Sequence, residues 1–293
     1  MISLPVVELP QGRMFLGVYD RWDGEFQNVQ MDVESDYVSW ENSQELNRII
    51  SRIRFDKRVP LITIEPFTTA SGESLQVLHE TIDGLNDDII TENIRVIKEH
   101  SPQLILVRFA HEMELIGNYP WSQKDADLYI AAYQYYINFF RKEEVKNVEF
   151  IWSPAGNSNA QPYYPGSDYV DYIGISILGF EDWDREFGHT VGRSFQSILS
   201  ERLWLKELDK PIIITELGVA ASDIRNEAET LKYQYEWLWL AWEAWYYYPF
   251  LHGVVYFNAI NAENSWQGER PDWRIPAGAL PPAIQLPPRR TIK

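Results

Sequence analysis

Residues 103–114 read QLILVRFAHEME, a short apolar run that ends in histidine and glutamates. Similar runs recur along the whole chain, with room between most of them for a helix or a long loop. Uninterrupted apolar runs are typical of strands buried on both faces, as in a parallel sheet covered by helices. We identify eight such runs, at 13–20, 36–40, 60–67, 103–110, 148–154, 170–178, 211–217 and 252–258.

The segments between these runs predict helices, most clearly at 43–54, 85–99, 124–143, 193–206 and 225–247. Eight strand units with helical crossovers in 293 residues favour an α/β protein of the (β/α)8 TIM-barrel type, with eight parallel strands and outer helices. A doubly wound sheet would carry a glycine-rich phosphate turn after its first strand, and the sequence has none there.

The domain organisation follows from the lack of any composition break before about residue 275. We predict one catalytic barrel domain over 1–275. The stretch 276–293 carries five prolines and is predicted to be a tail that packs on the surface or frays, so the last helix of the barrel should be short or absent.

Composition excludes several classes of partner. The chain has 43 Asp and Glu against 26 Lys and Arg, a net charge of −17, which disfavours nucleic acid and anionic membrane surfaces. No apolar run approaches the roughly 18 residues of a membrane-spanning helix, so membrane insertion is not expected. Cysteine is absent, which removes thiolate nucleophiles and Cys-based metal sites. Aromatic residues make up 14% of the chain and suit either a bulky core or platforms for sugar rings.

In a barrel of this type the chemistry lies at the carboxyl ends of the strands. Glu112 and Glu216 each follow directly on an apolar run, on predicted strands four and seven, which we expect to face each other across the barrel. Two such glutamates can share one glycosidic bond, with one protonating the leaving oxygen and the other attacking or activating water. Taken singly, each also fits a salt bridge or a position near a helix start.

The sequence lacks the motifs of other common enzyme classes. His111-Glu112 begins like a zinc-protease helix, but position 115 is Leu and the second histidine is missing. No metal cluster, Gly-x-Ser-x-Gly elbow or phosphate-binding loop is visible. We therefore expect no metal and no cofactor.

The segment 108–114, RFAHEME, followed by NYPW at 118–121, resembles the acid/base segment of glycoside hydrolase family 26. The resemblance extends over about residues 13–275, through YVSW at 37–40, IEP at 64–66, WSP at 152–154, YYPG at 163–166, DYVD at 168–171 and TE at 215–216. That family's barrels hydrolyse β-mannans, mixed-linkage β-glucans and β-1,3-xylans with retention of configuration.

The resemblance implies that Glu112 is the general acid/base and Glu216 the nucleophile, with His111 beside the acid and Arg108 beneath it. It also implies that Trp121 and Trp152 lie next to the sugar. The full set of expected substrate-binding residues is His111, Arg108, Trp121, Trp152, Glu114, Phe180, Trp183 and Trp266.

Three positions depart from the family pattern. Glu114 stands where the family motif usually has Asn, which adds a carboxylate near the acid. Leu178 stands where the family has a tyrosine that hydrogen-bonds to the nucleophile, so Phe180 and Trp183 reshape that wall, a tyrosine elsewhere serves, or the enzyme is weak. Tyr256-Phe257-Asn258 ends strand eight where a tryptophan platform is common, and Trp266 or Trp273 could supply it from the following loop.

The resemblance therefore implies a retaining endo-β-glycoside hydrolase acting on a β-linked polysaccharide or oligosaccharide, with a lean toward β-1,4 or mixed-linkage β-1,3-1,4-glucan. A β-mannanase, a catalytically weak or inactive carbohydrate-binding barrel and a transglycosylating enzyme are the alternatives. We expect a monomer. Residues 1–10 do not read as a secretory signal. A secreted or cell-envelope location is nevertheless expected, with the cytoplasm as the alternative.

Overall fold

The protein, described here from a computed structural model, is defined over residues 5–20, 24–67, 76–186, 188–221, 226–261, 270–280 and 286–287. Within these residues eight strands form a closed barrel in sequence order, and every neighbouring pair is parallel. The strands are β1 Phe15–Tyr19, β2 Val33–Ser39, β3 Val59–Glu65, β4 Ile105–Phe109, β5 Val148–Trp152, β6 Tyr172–Phe180, β7 Ile212–Ala220 and β8 Leu251–Phe257. The predicted (β/α)8 barrel is confirmed.

The α-helices within the described residues are α1 Ser43–Phe55, α2 Val77–Ile82, α3 Asp87–Glu99, α4 Ala126–Lys142, α5 Glu181–Glu186, α6 Phe195–Ser200 and α7 Glu227–Trp245. Short helices α2 and α5 were not predicted. The single helix predicted at 193–206 was wrong, because the chain divides there into α6 and a 3₁₀ helix, Leu203–Leu208. The division falls at Arg202. Its backbone N–H donates to the carbonyl oxygen of Leu199, and its guanidinium donates to the carbonyl oxygen of Ile198.

Side chains alternate along each strand between the barrel interior and the helices. The lower interior is a closed apolar cluster built from Phe15, Val33, Val59, Leu61, Leu106, Ile151, Ile213 and Val255. The outward-facing side chains pack against the helices in a second, larger core. Toward the carboxyl ends of the strands the interior positions become polar. The base of the barrel is therefore sealed, and its open end carries the polar groups.

One glycine makes room for this polar layer. A Cβ atom on Gly174 of β6 would lie 2.5 Å from the Oγ atom of Ser153, far inside normal contact distance. Glycine at this position lets the end of β5 approach β6 closely. The Ser153 hydroxyl is thereby held inside the barrel, where it meets Arg108.

The predicted tail, 276–293, lies partly outside the described residues. Its described part, 276–280 and 286–287, contains a 3₁₀ helix at Ala277–Ala279, and the backbone N–H of Met14 bonds to the carbonyl of Pro287 at 3.1 Å. Within the described residues no α-helix follows β8. None of the helices in the described ranges has the length and apolar character needed to cross a membrane.

Candidate active site

Glu216 faces the barrel interior because β7 is irregular at this point. Ile175 pairs with Ile214 and the next residue, Ser176, pairs with Glu216, so Thr215 is an extra residue in β7. In a regular strand, neighbouring side chains point to opposite faces. The bulge lets both Thr215 and Glu216 turn inward, which is how bulges commonly redirect side chains near functional sites.

The Glu216 carboxylate is held by two donors on the same oxygen. Arg108 Nη1 donates to Oε1 at 2.6 Å, and the hydroxyl of Tyr37 donates to it at 2.8 Å. Arg108 is fully buried, and its Nε donates to Ser153 Oγ at 2.8 Å. The ion pair and the two hydrogen bonds stabilise a negative charge on Glu216 and fix its orientation.

Tyr37 supplies the hydrogen bond that Leu178 cannot make. Tyr37 lies on β2, where the side chain points into the barrel, and Leu178 lines the cleft without a polar group. Burial, followed by the negative charge of Glu216, raises the pKa of Tyr37 well above its ordinary value, so the phenol stays protonated as a donor. Of the three options left open by the sequence, a tyrosine from elsewhere is the one found.

Glu112 lies on the turn that follows β4, and its backbone is in the left-handed region with φ of 52°. Its N–H donates to the carbonyl of Ser153 at 2.8 Å, which anchors the turn to β5. Ser176 Oγ donates to Glu112 Oε1 at 2.7 Å, and the hydroxyl of Tyr119 lies 3.5 Å from Oε2. A non-glycine residue with this backbone costs on the order of 1–3 kcal/mol, a strain that concentrates at functional sites.

The two glutamates have different electrostatic environments. Burial, and then the negative charge of Glu216, raises the pKa of Glu112 to about 7, against the opposing effects of Arg108 and the Ser176 hydrogen bond. Glu112 is thus protonated in mildly acidic solution. Its neighbour His111 is shifted the other way, since burial and the charge of Arg108 lower its pKa well below the ordinary value and keep the imidazole neutral.

Both carboxyl groups open onto a cleft of about 770 Å³ at the carboxyl ends of the strands. Strands β4 and β7 are three positions apart around the closed barrel, one short of the directly opposite arrangement that we predicted. The cleft walls are rich in aromatic rings, namely Tyr19, Tyr37, Tyr119, Trp183, Phe257 and Trp273. Trp273, an alternative from the sequence, lies against the cleft wall but is itself almost fully buried, whereas Trp266 lies outside the described residues.

The predicted positions of Trp121 and Trp152 beside the sugar were wrong, because both side chains are fully buried. Trp152 precedes the inward-facing Ser153 and so points outward into the helix layer, where it packs on Tyr164 at 5.1 Å between ring centroids. Trp121 donates from Nε1 to the carbonyl of His111 at 2.7 Å. Its ring stacks in parallel beneath Tyr119 at 4.7 Å, so Tyr119 is the ring that faces the cleft.

Two further predicted contacts are indirect. Glu114 is buried beneath the cleft and accepts the N–H of Gly156 at 3.0 Å, so it supports the loop after β5. Phe180 is buried behind Trp183, with ring centroids 5.4 Å apart. His111 and Trp183 do line the cleft. Arg108 lies below it and contacts the cleft-lining residues Glu216 and Tyr37.

Several cleft residues were absent from the sequence-based set, above all Tyr37, Glu65, Tyr119 and Ser176. Alternation along the strands could have identified three of them. Glu65 follows the inward-facing Thr63 by two residues, Ser176 follows Gly174 by two, and Tyr37 follows the inward-facing Val33 by four. Among the described residues no group of three or more His, Asp or Glu side chains is arranged to hold a metal ion.

A closed parallel barrel with two glutamates at its open end, one ion-paired and one with a raised pKa, defines a site of the glycoside hydrolase class. Residues 67–238 match the model of glycosyl hydrolase family 26, and the chain belongs to this family.

One curated relative is endoglucanase H of Acetivibrio thermocellus, 25% identical over 218 residues, which cover 67% of this chain and 22% of that protein. The chain thus spans about a fifth of the length of this relative. Among solved structures, a family 26 β-mannanase from Bacteroides ovatus aligns with a TM-score of 0.57 and 17% identity over 85% of this chain and 81% of that one. An endo-1,4-β-xylanase from Penicillium canescens aligns with a TM-score of 0.58 and 12% identity over 87% and 85%. At these identities the structural matches establish the shared fold alone.

Proposed function

We propose that the chain is a retaining endo-β-glycoside hydrolase in which Glu112 is the general acid/base and Glu216 the nucleophile. The observation that carries the proposal is the contrast between the two carboxyl groups. Glu216 is bound to Arg108 and Tyr37 on one oxygen, which suits an ionised nucleophile. Glu112 is buried with a pKa raised to about 7, which suits a proton donor.

The reaction proceeds in two displacements. Glu216 attacks the anomeric carbon as Glu112 transfers its proton to the departing glycosidic oxygen, and a covalent glycosyl-Glu216 ester forms. Glu112, now ionised, then removes a proton from water, which attacks the anomeric carbon and releases Glu216. Configuration is retained, and the two glutamates return to their starting states.

The cleft already holds several carboxyl groups, which favours a neutral β-linked chain as the substrate. We favour β-1,4 or mixed-linkage glucan, in agreement with the name of the endoglucanase relative and with the NYPW ending of the acid loop at 118–121. The runner-up is β-mannan, the substrate in the name of the Bacteroides ovatus neighbour. A secreted or cell-envelope location and a monomeric state complete the proposal.

The test compares Glu112→Ala and Glu216→Ala on para-nitrophenyl β-cellobioside in the presence of azide. Loss of a nucleophile and loss of an acid/base give opposite products, since azide replaces whichever carboxylate is missing. We expect a β-glycosyl azide from Glu112→Ala and an α-glycosyl azide from Glu216→Ala. Glu92→Ala, on the exposed face of α3, serves as the control and should behave as wild type.

The substrate is resolved by reducing-sugar release from barley glucan, carboxymethylcellulose and glucomannan. Release from glucomannan alone would favour the mannanase alternative, and products longer than the starting oligomer would indicate transglycosylation. If wild type binds these glycans but releases no sugar from any of them, the hydrolase proposal is overturned in favour of a binding barrel.

A further inference from the structure

Glu65 is a third carboxyl group in the cleft, and the two-displacement mechanism does not use it. It is the last residue of β3, and it lines the cleft together with Glu112 and Glu216. Thr63, two residues earlier, pairs with Arg108 and lies within 3.4 Å of its Nη1 atom. Alternation therefore places the Glu65 side chain on the inward face, one level above the layer that holds Arg108.

Glu65 stabilises the local fold through its backbone carbonyl group. Its carbonyl oxygen accepts the N–H of Trp40 at 3.0 Å and the N–H of Phe67 at 2.8 Å, which fixes the end of β3 and the start of the following loop. Among the described residues, no hydrogen bond or salt bridge to the Glu65 carboxyl group is found. Its hydrogen-bonding capacity thus remains available to whatever enters the cleft.

The charges around Glu65 define what that molecule can be. Burial raises the pKa of Glu65 to about 7, with Arg108 opposing the shift and the negative charge of Glu216 adding to it. Glu65, Glu112, Glu216 and Tyr119 all line the same cleft. Burial, and then the negative charges of Glu112, Glu216 and Glu65, raise the pKa of Tyr119. A ligand that carried its own carboxylate would be repelled there. Neutral hydroxyl groups can instead donate to Glu65 in either protonation state and can also accept from it below about pH 7, where it is protonated.

We propose that Glu65 is a substrate-binding residue that hydrogen-bonds to neighbouring hydroxyl groups of the neutral sugar ring held between Glu216 and Tyr119. The inference rests on the proposed function, because it requires a glycan in the cleft. It adds a polar contact on the β3 side of the cleft. A buried group left without partners is costly, so the sugar that fits Glu65 is favoured over one lacking those hydroxyl groups.

The test measures affinity and turnover separately for wild type, Glu65→Gln and Glu65→Ala. Cellotetraose and mannotetraose are titrated by calorimetry into each form carrying the additional substitution Glu112→Gln, which suppresses cleavage, and kcat and KM are measured on para-nitrophenyl β-cellobioside with Glu112 intact. We expect Glu65→Ala to bind its preferred tetraose about 10- to 100-fold more weakly, as for the loss of one or two hydrogen bonds to a carboxyl group. Glu65→Gln should lose less, and Tm measured at about pH 4, where Glu65 is protonated in the folded protein, should be unchanged in both.

A double-mutant cycle separates direct contact from an indirect effect. Para-nitrophenyl β-cellobioside deoxygenated at C2 or C3 of the ring next to the nitrophenyl group is compared on wild type and Glu65→Ala. If Glu65 contacts one of these hydroxyl groups, removing both partners costs no more than removing one, whereas a structural role gives additive losses.

The outcomes distinguish the two proposals. Wild-type cleavage combined with Glu65→Ala affinity within twofold of wild type, or additive losses in both cycles, overturns the role of Glu65 and leaves the hydrolase proposal standing. Failure of wild type to bind or cleave any neutral glycan overturns the hydrolase proposal itself, and the role of Glu65 with it.

Discussion

Ser176→Ala is expected to shift the alkaline limb of the pH–rate profile upward. The Ser176 hydroxyl donates to Glu112 Oε1 at 2.7 Å, and this hydrogen bond stabilises the ionised form of Glu112. Without it, the pKa of Glu112 should rise further above its already raised value of about 7. Since only protonated Glu112 can assist the leaving oxygen, activity should persist to higher pH.

The size of the shift follows from the strength of that bond. A hydrogen bond to a charged group contributes about 1.5–3 kcal/mol net. The protonated carboxyl group can still share part of the interaction, so we take the low end of this range. One pKa unit corresponds to about 1.4 kcal/mol, so the limb should move up by about one unit.

The assay is kcat/KM on barley glucan between about pH 5 and pH 9, because this parameter reports the pKa values of the free enzyme. Ser122→Ala is the matched control, since its hydroxyl contacts the backbone carbonyl of Glu112 at 3.2 Å rather than the carboxyl group. The alkaline limb of the Ser122→Ala profile should coincide with that of wild type. A Ser176→Ala limb that is unmoved, or that moves to lower pH, would refute either the hydrogen bond or the acid role of Glu112.

Three further predictions concern neighbouring side chains. Tyr37→Phe removes the 2.8 Å hydrogen bond to Glu216 and should lower kcat about 10- to 100-fold with little change in KM, as measured by steady-state kinetics. Trp121→Ala should destabilise the fold by about 3–5 kcal/mol in urea, because the ring is fully buried, whereas Trp183→Ala should mainly weaken glycan binding in calorimetry. Glu112→Gln should stabilise the fold by about 1–3 kcal/mol near pH 8 and not near pH 4. The unfolded chain releases the Glu112 proton near the ordinary pKa of 4.5 and the folded protein holds it to about 7, so wild type loses stability between these two pH values. Equal differences between the urea midpoints of variant and wild type at both pH values would contradict this.

The barrel could be predicted because its strands are buried on both faces. Runs such as 103–110 are mostly apolar, and this pattern can be recognised in the sequence without knowing which strands lie next to each other. Glu112 and Glu216 could be found for the same reason, as charged residues that directly follow such runs. The uninterrupted apolar character, however, does not by itself say which side chains face inward.

That missing orientation accounts for the errors at Trp121 and Trp152. In β5, inward Ser153 forces Trp152 outward, yet the sequence shows only an aromatic residue near a strand end. The Tyr37–Glu216 contact joins residues 179 positions apart and depends on barrel closure, so no local sequence pattern predicts it. The division at Arg202 was equally hidden, since its guanidinium also binds the carbonyls of Ala155 and Ser176, both distant in sequence.

The difference between the two glutamates comes from two local backbone irregularities. The bulge at Thr215 directs Glu216 inward, into reach of the guanidinium of Arg108, where a negative charge is stabilised. Glu112, on its left-handed turn, instead accepts a hydrogen bond from Ser176 and is repelled by the negative charge of Glu216. Without the bulge, alternation along β7 would turn the Glu216 side chain away from the barrel interior and out of reach of Arg108. The proposed division of roles is therefore a property of the backbone at Thr215 and Glu112 as much as of the two side chains.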